Sequence, residues 1–171
     1  MVKYIKDEVL VCFSEIPDEI VLAINISNCP HHCKGCHSPY LQQDIGDELT
    51  DDILDELIKK NEGITCVCFM GEGNDLDGIF NLAKIVSKNN LNVGIYSGSK
   101  EIPDKFWATF NYIKLGGYKE EFGPLNKETT NQRMYKYDTC IYALDILLPI
   151  ETRPVHPGWR DITYKFWRKD S

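Results

Sequence analysis

Runs of apolar residues alternate with amphipathic segments over most of the chain. Residues 21–26 are nearly continuously apolar and β-branched, and three further apolar runs cover residues 64–70, 93–96 and 112–115. Such runs are typical of parallel strands that are covered on both faces. A segment with helical periodicity lies between each apolar run and the next. This alternation predicts an α/β fold in which right-handed crossovers join parallel strands.

The clearest predicted helix follows Thr50. Threonine is a good N-cap, and Asp51 and Asp52 lie where the helix dipole favours negative charge. A second amphipathic helix is expected over residues 76–86, and a short one after Pro103. We assign three aromatic side chains near this short helix to the core: Phe106, Trp107 and Phe110.

The remaining segments have weaker patterns. Residues 9–13 predict a short leading strand, whereas residues 116–133 lack periodicity, and a loop of that length in a compact domain is functional or mobile. Residues 141–150 are apolar and fit either a strand or a helix, and residues 162–167 predict a final aromatic segment. Since no repeat, low-complexity tract or polar linker divides the chain, we expect a single domain over residues 1–171.

Composition and charge narrow the class of protein. The chain has 171 residues, of which 43% are hydrophobic and 26% charged, as in an ordinary globular domain. The net charge of -7 argues against a nucleic-acid-binding surface, and no apolar run approaches the ~20 residues of a membrane span. Residues 1–6 lack the apolar region of a signal peptide, so a cytoplasmic protein without membrane partners is expected.

Three of the seven cysteines, Cys29, Cys33 and Cys36, lie within eight residues at the spacing C-x3-C-x2-C. Thiols so close together are typical of metal ligands rather than of a secreted disulfide framework. Two kinds of site remain open. A zinc site would need a fourth ligand, which one of three histidines could supply, whereas a four-iron cluster would keep one iron open. The histidines are His31, His32 and His37, of which we interpret the first two as exposed loop residues.

The other four cysteines lie in apolar settings and are interpreted as buried free thiols: Cys12, Cys66, Cys68 and Cys140. Polar and glycine residues follow the four predicted parallel strands. In such sheets, ligands bind at the carboxyl ends of the strands, so these residues are candidates for one common site. Besides the cysteine loop they are Gly71, Glu72 and Gly73, then Ser97 and Gly98, then Gly116 and Gly117.

These motifs resemble a known family. The cysteine loop after the first full strand, the Gly71 and Glu72 pair after the next, and the alternating element order resemble the radical S-adenosylmethionine superfamily. Within it, the short length and the sequences Gly-Pro-Leu at 123–125 and Thr-Thr-Asn-Gln-Arg at 129–133 resemble the activating proteins of anaerobic ribonucleoside-triphosphate reductase. The resemblance covers about residues 20–135 and leaves residues 136–171 as a C-terminal extension.

The resemblance implies an incomplete α/β barrel, since a full eight-stranded barrel typically takes ~250 residues. It implies a [4Fe-4S] cluster held by Cys29, Cys33 and Cys36, with the fourth iron bound by S-adenosylmethionine. In this family, reductive cleavage of S-adenosylmethionine gives a 5'-deoxyadenosyl radical, which takes a hydrogen atom from a glycine of the reductase. The implied partners are the reductase large subunit and an external one-electron donor such as a flavodoxin.

The resemblance also implies cofactor contacts at Gly71, Glu72, Ser97 and Gly98. Gly71 and Glu72 match the segment that binds the methionine amino group, although Met70 replaces the first glycine of the family's motif. His37, which directly follows Cys36, is expected beside the cluster or the cofactor.

The loop over residues 116–133 is expected to receive the partner's peptide, with the amides of Asn131 and Gln132 holding its backbone. Two kinds of alternative function remain. One is another small radical activase or a small-molecule radical enzyme, and the other is a zinc-stabilised binding module without catalysis.

Overall fold

The computed structural model describes residues 1–167. The strands are β1 (Lys3–Tyr4), β2 (Leu10–Cys12), β3 (Val21–Asn25), β4 (Asp47–Glu48), β5 (Cys66–Met70), β6 (Asn92–Tyr96), β7 (Tyr112–Leu115), β8 (Arg133–Tyr137) and β9 (Trp159–Asp161). The α-helices are α1 (Asp51–Lys60), α2 (Leu76–Lys88), α3 (Asp104–Trp107) and α4 (Thr139–Asp145). Short 3-10 turns lie at Lys6–Glu8, Pro39–Gln42, Ile150–Thr152 and Thr163–Phe166.

Seven strands form one mixed sheet in the order β2-β3-β5-β6-β7-β8-β9. The four central strands β3, β5, β6 and β7 are parallel, as predicted, but β2, β8 and β9 pair antiparallel with their neighbours. The predicted α/β class and the four parallel strands are therefore confirmed, but the sheet as a whole is mixed rather than parallel. A parallel connection needs a crossover of about a dozen residues or more, and the eight residues between β2 and β3 are too few.

The predicted helices form where their capping residues indicate. The N–H of Ile53 donates to Thr50 Oγ1 at 3.3 Å, which caps α1, and the N–H of Gly78 donates to Asp75 Oδ1 at 2.9 Å, which caps α2. At 13 residues, α2 is the longest helix described. Across residues 1–167, no helix has the length and apolar character that crossing a membrane requires.

The sheet is covered differently on its two faces. The alternation of side chains along β3 and β5 sends Leu22 and Phe69 into a core shared with α1, α2 and α3. On the opposite face, Val21 and Cys68 pack with Ile16, which comes from the segment before β3. All three crossover helices therefore pack on one face, because the strand order from β3 to β7 never reverses.

Outside the central strands, the structure decides between alternatives that the sequence left open and corrects the burial of two cysteines. The apolar residues 141–150, which fitted a strand or a helix, contain the end of α4 followed by an irregular turn, and Thr163–Phe166 is a 3-10 turn. No strand was predicted at the position of β8. Cys140 is exposed rather than buried, because it lies near the start of α4 on a side that contacts no core, and Cys12 is only half-buried. Residues 168–171 of the predicted C-terminal extension lie outside the described residues.

Candidate functional site

The three clustered cysteines lie in a closed loop that leaves the carboxyl end of β3. The N–H of Cys29 donates to the carbonyl of Leu41 at 2.9 Å, and the N–H of Asn28 donates to the carbonyl of Gln43 at 3.0 Å. Gly35, with φ of 74°, adopts the left-handed conformation that a glycine reaches without strain. The loop therefore closes on itself through backbone bonds, and the cysteines do not share a helical face.

All three loop cysteines are half-buried free thiols. Burial raises the pKa of Cys29, so its thiolate needs a nearby positive charge to form at neutral pH. Cys33 lies against the end of β7, since a Cβ added to Gly117 would stand 2.8 Å from Cys33 Sγ. The glycine thus leaves the space that the sulfur fills.

Cysteine thiols are the side chains that hold iron-sulfur clusters in proteins. Across residues 1–167, no three His, Cys, Asp or Glu side chains converge as ligands of one metal ion. A cubane cluster makes a different demand, because each of its cysteines binds a separate iron. The loop offers three thiols that have no disulfide partners, and the Cys33 sulfur lies in the gap that Gly117 leaves. These features fit a four-iron cluster.

Glu72 forms the polar centre beside this loop. Its side chain is buried, and Oε1 pairs with Nε2 of His31 while Oε2 accepts a hydrogen bond from the hydroxyl of Ser97. The hydroxyl of Ser99 also donates to Oε1, at 3.2 Å. A buried carboxylate is costly unless it is paired in this way, so the arrangement holds Glu72 in one orientation.

The three histidines have different environments. His31 is half-buried on Glu72, which corrects the expectation that it is exposed, because the loop folds it over the end of β6. A Cβ added to Gly98 would approach the His31 ring to 2.5 Å, so this position also requires glycine. His32 is exposed as expected. His37 is exposed as well, and its ring lies 5.6 Å from that of Tyr118, between centroids.

Lys114 is a site residue that the sequence analysis missed. It is buried near the end of β7, and its Nζ donates to the carbonyl of Gly116 at 2.6 Å. Burial lowers the pKa of Lys114 to about 8, while the negative charges of Cys33 and Glu72 act in the opposite direction. A lysine inside an otherwise apolar strand was the available indication. In the folded protein, Lys114 places a positive charge close to the thiols of the cysteine loop.

The backbone after β5 turns sharply to bring Glu72 into place. Gly71 has φ of 120°, and a Cβ there would stand 3.1 Å from the carbonyl oxygen of Ile26. Since side chains other than hydrogen are strained at that φ, the turn depends on glycine. The structure thus brings the predicted residues Gly71, Glu72, Ser97 and Gly98 together beside the cysteine loop.

An open cleft of about 420 Å³ lies beside the cysteine loop. The residues that line it include His31, Cys33, Gly98, Gly117, Tyr118 and Asn131. Asn131 Nδ2 donates to the carbonyl of Gly117 at 3.0 Å, while its buried Oδ1 has no hydrogen-bond partner within residues 1–167. Gln132, in contrast, is buried and does not line the cleft, so only one of the two predicted residues lies at this site.

Three cationic side chains complete the cleft wall: Lys100, Lys119 and Arg133. The site therefore combines thiols, a buried carboxylate and positive charge at the carboxyl ends of the parallel strands. No protein-family model matches the chain, and no curated protein or solved structure is significantly similar to it.

Proposed function

We propose that this chain is a radical S-adenosylmethionine activase that generates a glycyl radical on anaerobic ribonucleoside-triphosphate reductase. One observation carries the proposal. The C-x3-C-x2-C loop lies over the carboxyl ends of β6 and β7, with Cys33 Sγ against Gly117, and beside a buried Glu72 held by Ser97. The cysteine spacing and the residues after three successive strands thus meet at one place.

In this proposal Cys29, Cys33 and Cys36 hold a [4Fe-4S] cluster, and S-adenosylmethionine is the second cofactor. When bound, the cluster supplies the electron that cleaves the sulfonium of S-adenosylmethionine. Lys114 lies near the three thiols and places a positive charge beside the loop that would hold the cluster.

The remaining site residues bind and orient the substrate groups. The negative charge of Glu72 would attract a positively charged amino group, and Gly98 leaves the room in which the His31 ring lies against this carboxylate. Asn131 lines the cleft, and a rotation of its amide would turn Oδ1, which has no hydrogen-bond partner within residues 1–167, toward a peptide N–H of the partner.

The arrangement of helices supports an incomplete α/β barrel rather than a doubly wound sheet. In doubly wound folds the strand order reverses and helices cover both faces, whereas in barrels the helices stay outside. Here α1, α2 and α3 all pack on one face, and the order of the parallel strands never reverses. The antiparallel β8 and β9 then extend the sheet at the side where a full barrel would close.

Anaerobic reconstitution of three single variants tests the proposal. We expect Cys29→Ala, Cys33→Ala and Cys36→Ala each to abolish formation of 5'-deoxyadenosine from S-adenosylmethionine and reductant, because each removes one cluster ligand. Cys140→Ala is the matched control, since this thiol is exposed outside the site, and it should keep full activity. Iron content and 5'-deoxyadenosine are the measurements.

The wild-type protein should also give a glycyl-radical signal in electron paramagnetic resonance when it is incubated with the reductase large subunit. Cleavage without that signal would leave another radical activase or a small-molecule radical enzyme as the function. A colourless protein that contains zinc would contradict the proposal and favour the binding module. Cleavage that survives the loss of a loop cysteine would contradict the assignment of the ligands.

A further inference from the structure

His31 lies between the carboxylate of Glu72 and the cleft beside the cysteine loop. The Glu72 side chain is 5% exposed and does not line the cleft, whereas His31 lines it with a side chain that is 22% exposed. Nε2 of His31 pairs with Oε1 of Glu72, so the imidazole ring covers the carboxylate on the side of the cleft. A molecule in the cleft therefore meets His31 before it reaches Glu72.

Both oxygens of Glu72 also accept hydrogen bonds from serine hydroxyls. Ser97 donates to Oε2, and Ser99 donates to Oε1 at 3.2 Å, beside the contact with His31. The N–H of Ser99 donates in turn to Ser97 Oγ at 3.0 Å, which ties both serines to the backbone after β6. Neither serine lines the cleft. Among the three described partners of Glu72, His31 is thus the one that a ligand can replace from the cleft.

The chain makes room for the ring in this position. Gly98 faces it, and a Cβ there would stand 2.5 Å from the His31 ring. The backbone next to the ring is strained, because His32 has φ of 45°, a left-handed conformation that is costly for a residue with a side chain. A change of this backbone would relieve strain while it moves His31 away from Glu72.

We propose that His31 is a specificity-determining residue, which only a ligand with an aliphatic amino group replaces on Glu72. The inference rests on the proposed function, in which Glu72 receives the methionine amino group of S-adenosylmethionine. An amino group offers the carboxylate several N–H donors, whereas Nε2 of the ring offers one. A nucleoside without an amino-acid part leaves His31 in place and does not reach Glu72.

The exchange leaves the carboxylate with partners throughout. When His31 moves away, Glu72 keeps the hydroxyls of Ser97 and Ser99, so the buried charge is not left unpaired. The observed affinity for the ligand is the intrinsic affinity multiplied by the fraction of molecules in which His31 has left Glu72. Removal of the ring should therefore strengthen binding, whereas loss of a purely structural residue would weaken it.

Equilibrium dialysis of S-adenosylmethionine against the reconstituted protein tests the proposal. Reductant is omitted, so that binding is measured apart from cleavage. We expect His31→Ala to bind about 10-fold more tightly than the wild type, because the ligand no longer has to displace the ring. His31→Gln should bind like the wild type, since its amide N–H can donate to Glu72 in place of the ring. The iron content of every variant is measured first, and affinities are compared per bound cluster.

His32→Asn is the matched control for a change in the loop. His32 is exposed, and its Nδ1 lies 3.0 Å from Gln42 Oε1 rather than on Glu72. Asparagine tolerates the positive φ of this position, so the affinity should equal that of the wild type. An analogue of S-adenosylmethionine that lacks the amino group is the matched ligand. Its affinity should be the same for the wild type and His31→Ala, because it does not compete with the ring.

Two sets of outcomes separate this inference from the proposed function. If the wild type binds S-adenosylmethionine, the inference alone is overturned when His31→Ala binds no more tightly, or when His31→Gln gains as much as His31→Ala. An equal gain for the analogue would also overturn it, because the ring would then merely narrow the cleft. If the iron-loaded wild type and all variants fail to bind S-adenosylmethionine, the proposed function fails together with the inference.

Discussion

At the residue scale, the candidate site depends on two positions where only glycine leaves room. Gly98 faces the His31 ring, and Gly117 faces Cys33 Sγ. Neither has a positive φ, so the backbone itself would accept a larger residue. The constraint at both positions is therefore the space that the cysteine loop occupies.

Gly117→Ala should displace the Cys33 sulfur, because the added Cβ would stand 2.8 Å from it. We expect reconstituted protein to lose bound iron and the rate of S-adenosylmethionine cleavage to fall on the order of 10–100-fold, as small displacements at a reactive centre do. Urea unfolding should show a stability close to that of the wild type, since the sulfur can move without opening the core.

Gly63→Ala is the contrasting control. Gly63 has φ of 86° and no neighbouring atom within 4 Å of an added Cβ, so alanine there is strained but meets open space. It should lower the free energy of unfolding by about 1 kcal/mol and leave iron binding intact. If Gly117→Ala binds iron and cleaves the cofactor as the wild type does, the sulfur does not depend on that gap.

At the scale of elements, α4 is fixed to the sheet by one ion pair rather than by a large core contact. Asp145 at its end binds the guanidinium of Arg160 in β9 through both oxygens, at 2.6 and 2.9 Å. The hydrogen bonds from Arg160, and next the one from Gly158, lower the pKa of Asp145 below its ordinary value. The helix should therefore be sensitive to acid.

Asp145→Asn should destabilise the protein at neutral pH and have less effect in acid. Because the pKa of Asp145 is lower in the folded protein than in the unfolded chain, its contribution is fully present above the unfolded value of ~3.9. It is lost as the pH falls through the folded value. Urea unfolding at several pH values should thus show the free energies of wild type and variant converging below about pH 4.

Asp18→Asn provides the control for that experiment. Asp18 pairs with Lys165 at 2.9 Å, but its side chain is 71% exposed, and exposed pairs contribute little to stability. Asparagine also tolerates the positive φ of 67° at this position. A pH-independent difference between wild type and Asp145→Asn would contradict the role of the ion pair.

At the scale of the whole molecule, a buried polar cluster joins the strands at the end opposite the cysteine loop. Glu19 accepts hydrogen bonds from Asn92 Nδ2 at 2.6 Å and from the hydroxyl of Tyr112 at 2.8 Å, and also from the hydroxyl of Thr65. These donors belong to β6, to β7 and to the residue before β5. One carboxylate thus links three neighbouring strands.

Glu19→Ala should lower the free energy of unfolding by about 3 kcal/mol, because it removes the acceptor of three donors, one of which is the buried hydroxyl of Tyr112. Tyr112→Phe removes one hydrogen bond and leaves the carboxylate with its other donors, so it should cost only about 1 kcal/mol. Urea denaturation of both variants measures the two effects. Equal losses in the two variants would show that the cluster does not act as a unit.

The sequence alone determined the central part of the molecule. The apolar runs located the four parallel strands, Thr50 located the start of α1, and the order of elements gave the α/β class. It also indicated that the cysteine loop and the residues Glu72 and Ser97 would meet. These features follow from local periodicity, from capping side chains and from the rule that parallel strands share one edge for their carboxyl ends.

Only the tertiary structure decided the rest. The antiparallel pairing of β8 and β9 joins residues up to 26 positions apart, and the contact of His31 with Glu72 joins residues 41 positions apart. The burial of Lys114 likewise depends on segments that are distant in the sequence. The exposure of the apolar residues after Thr139 could not be inferred from their hydropathy, which fitted either a strand or a helix. A local pattern encodes the period of an element, but which distant segment covers it depends on the packing of the whole chain.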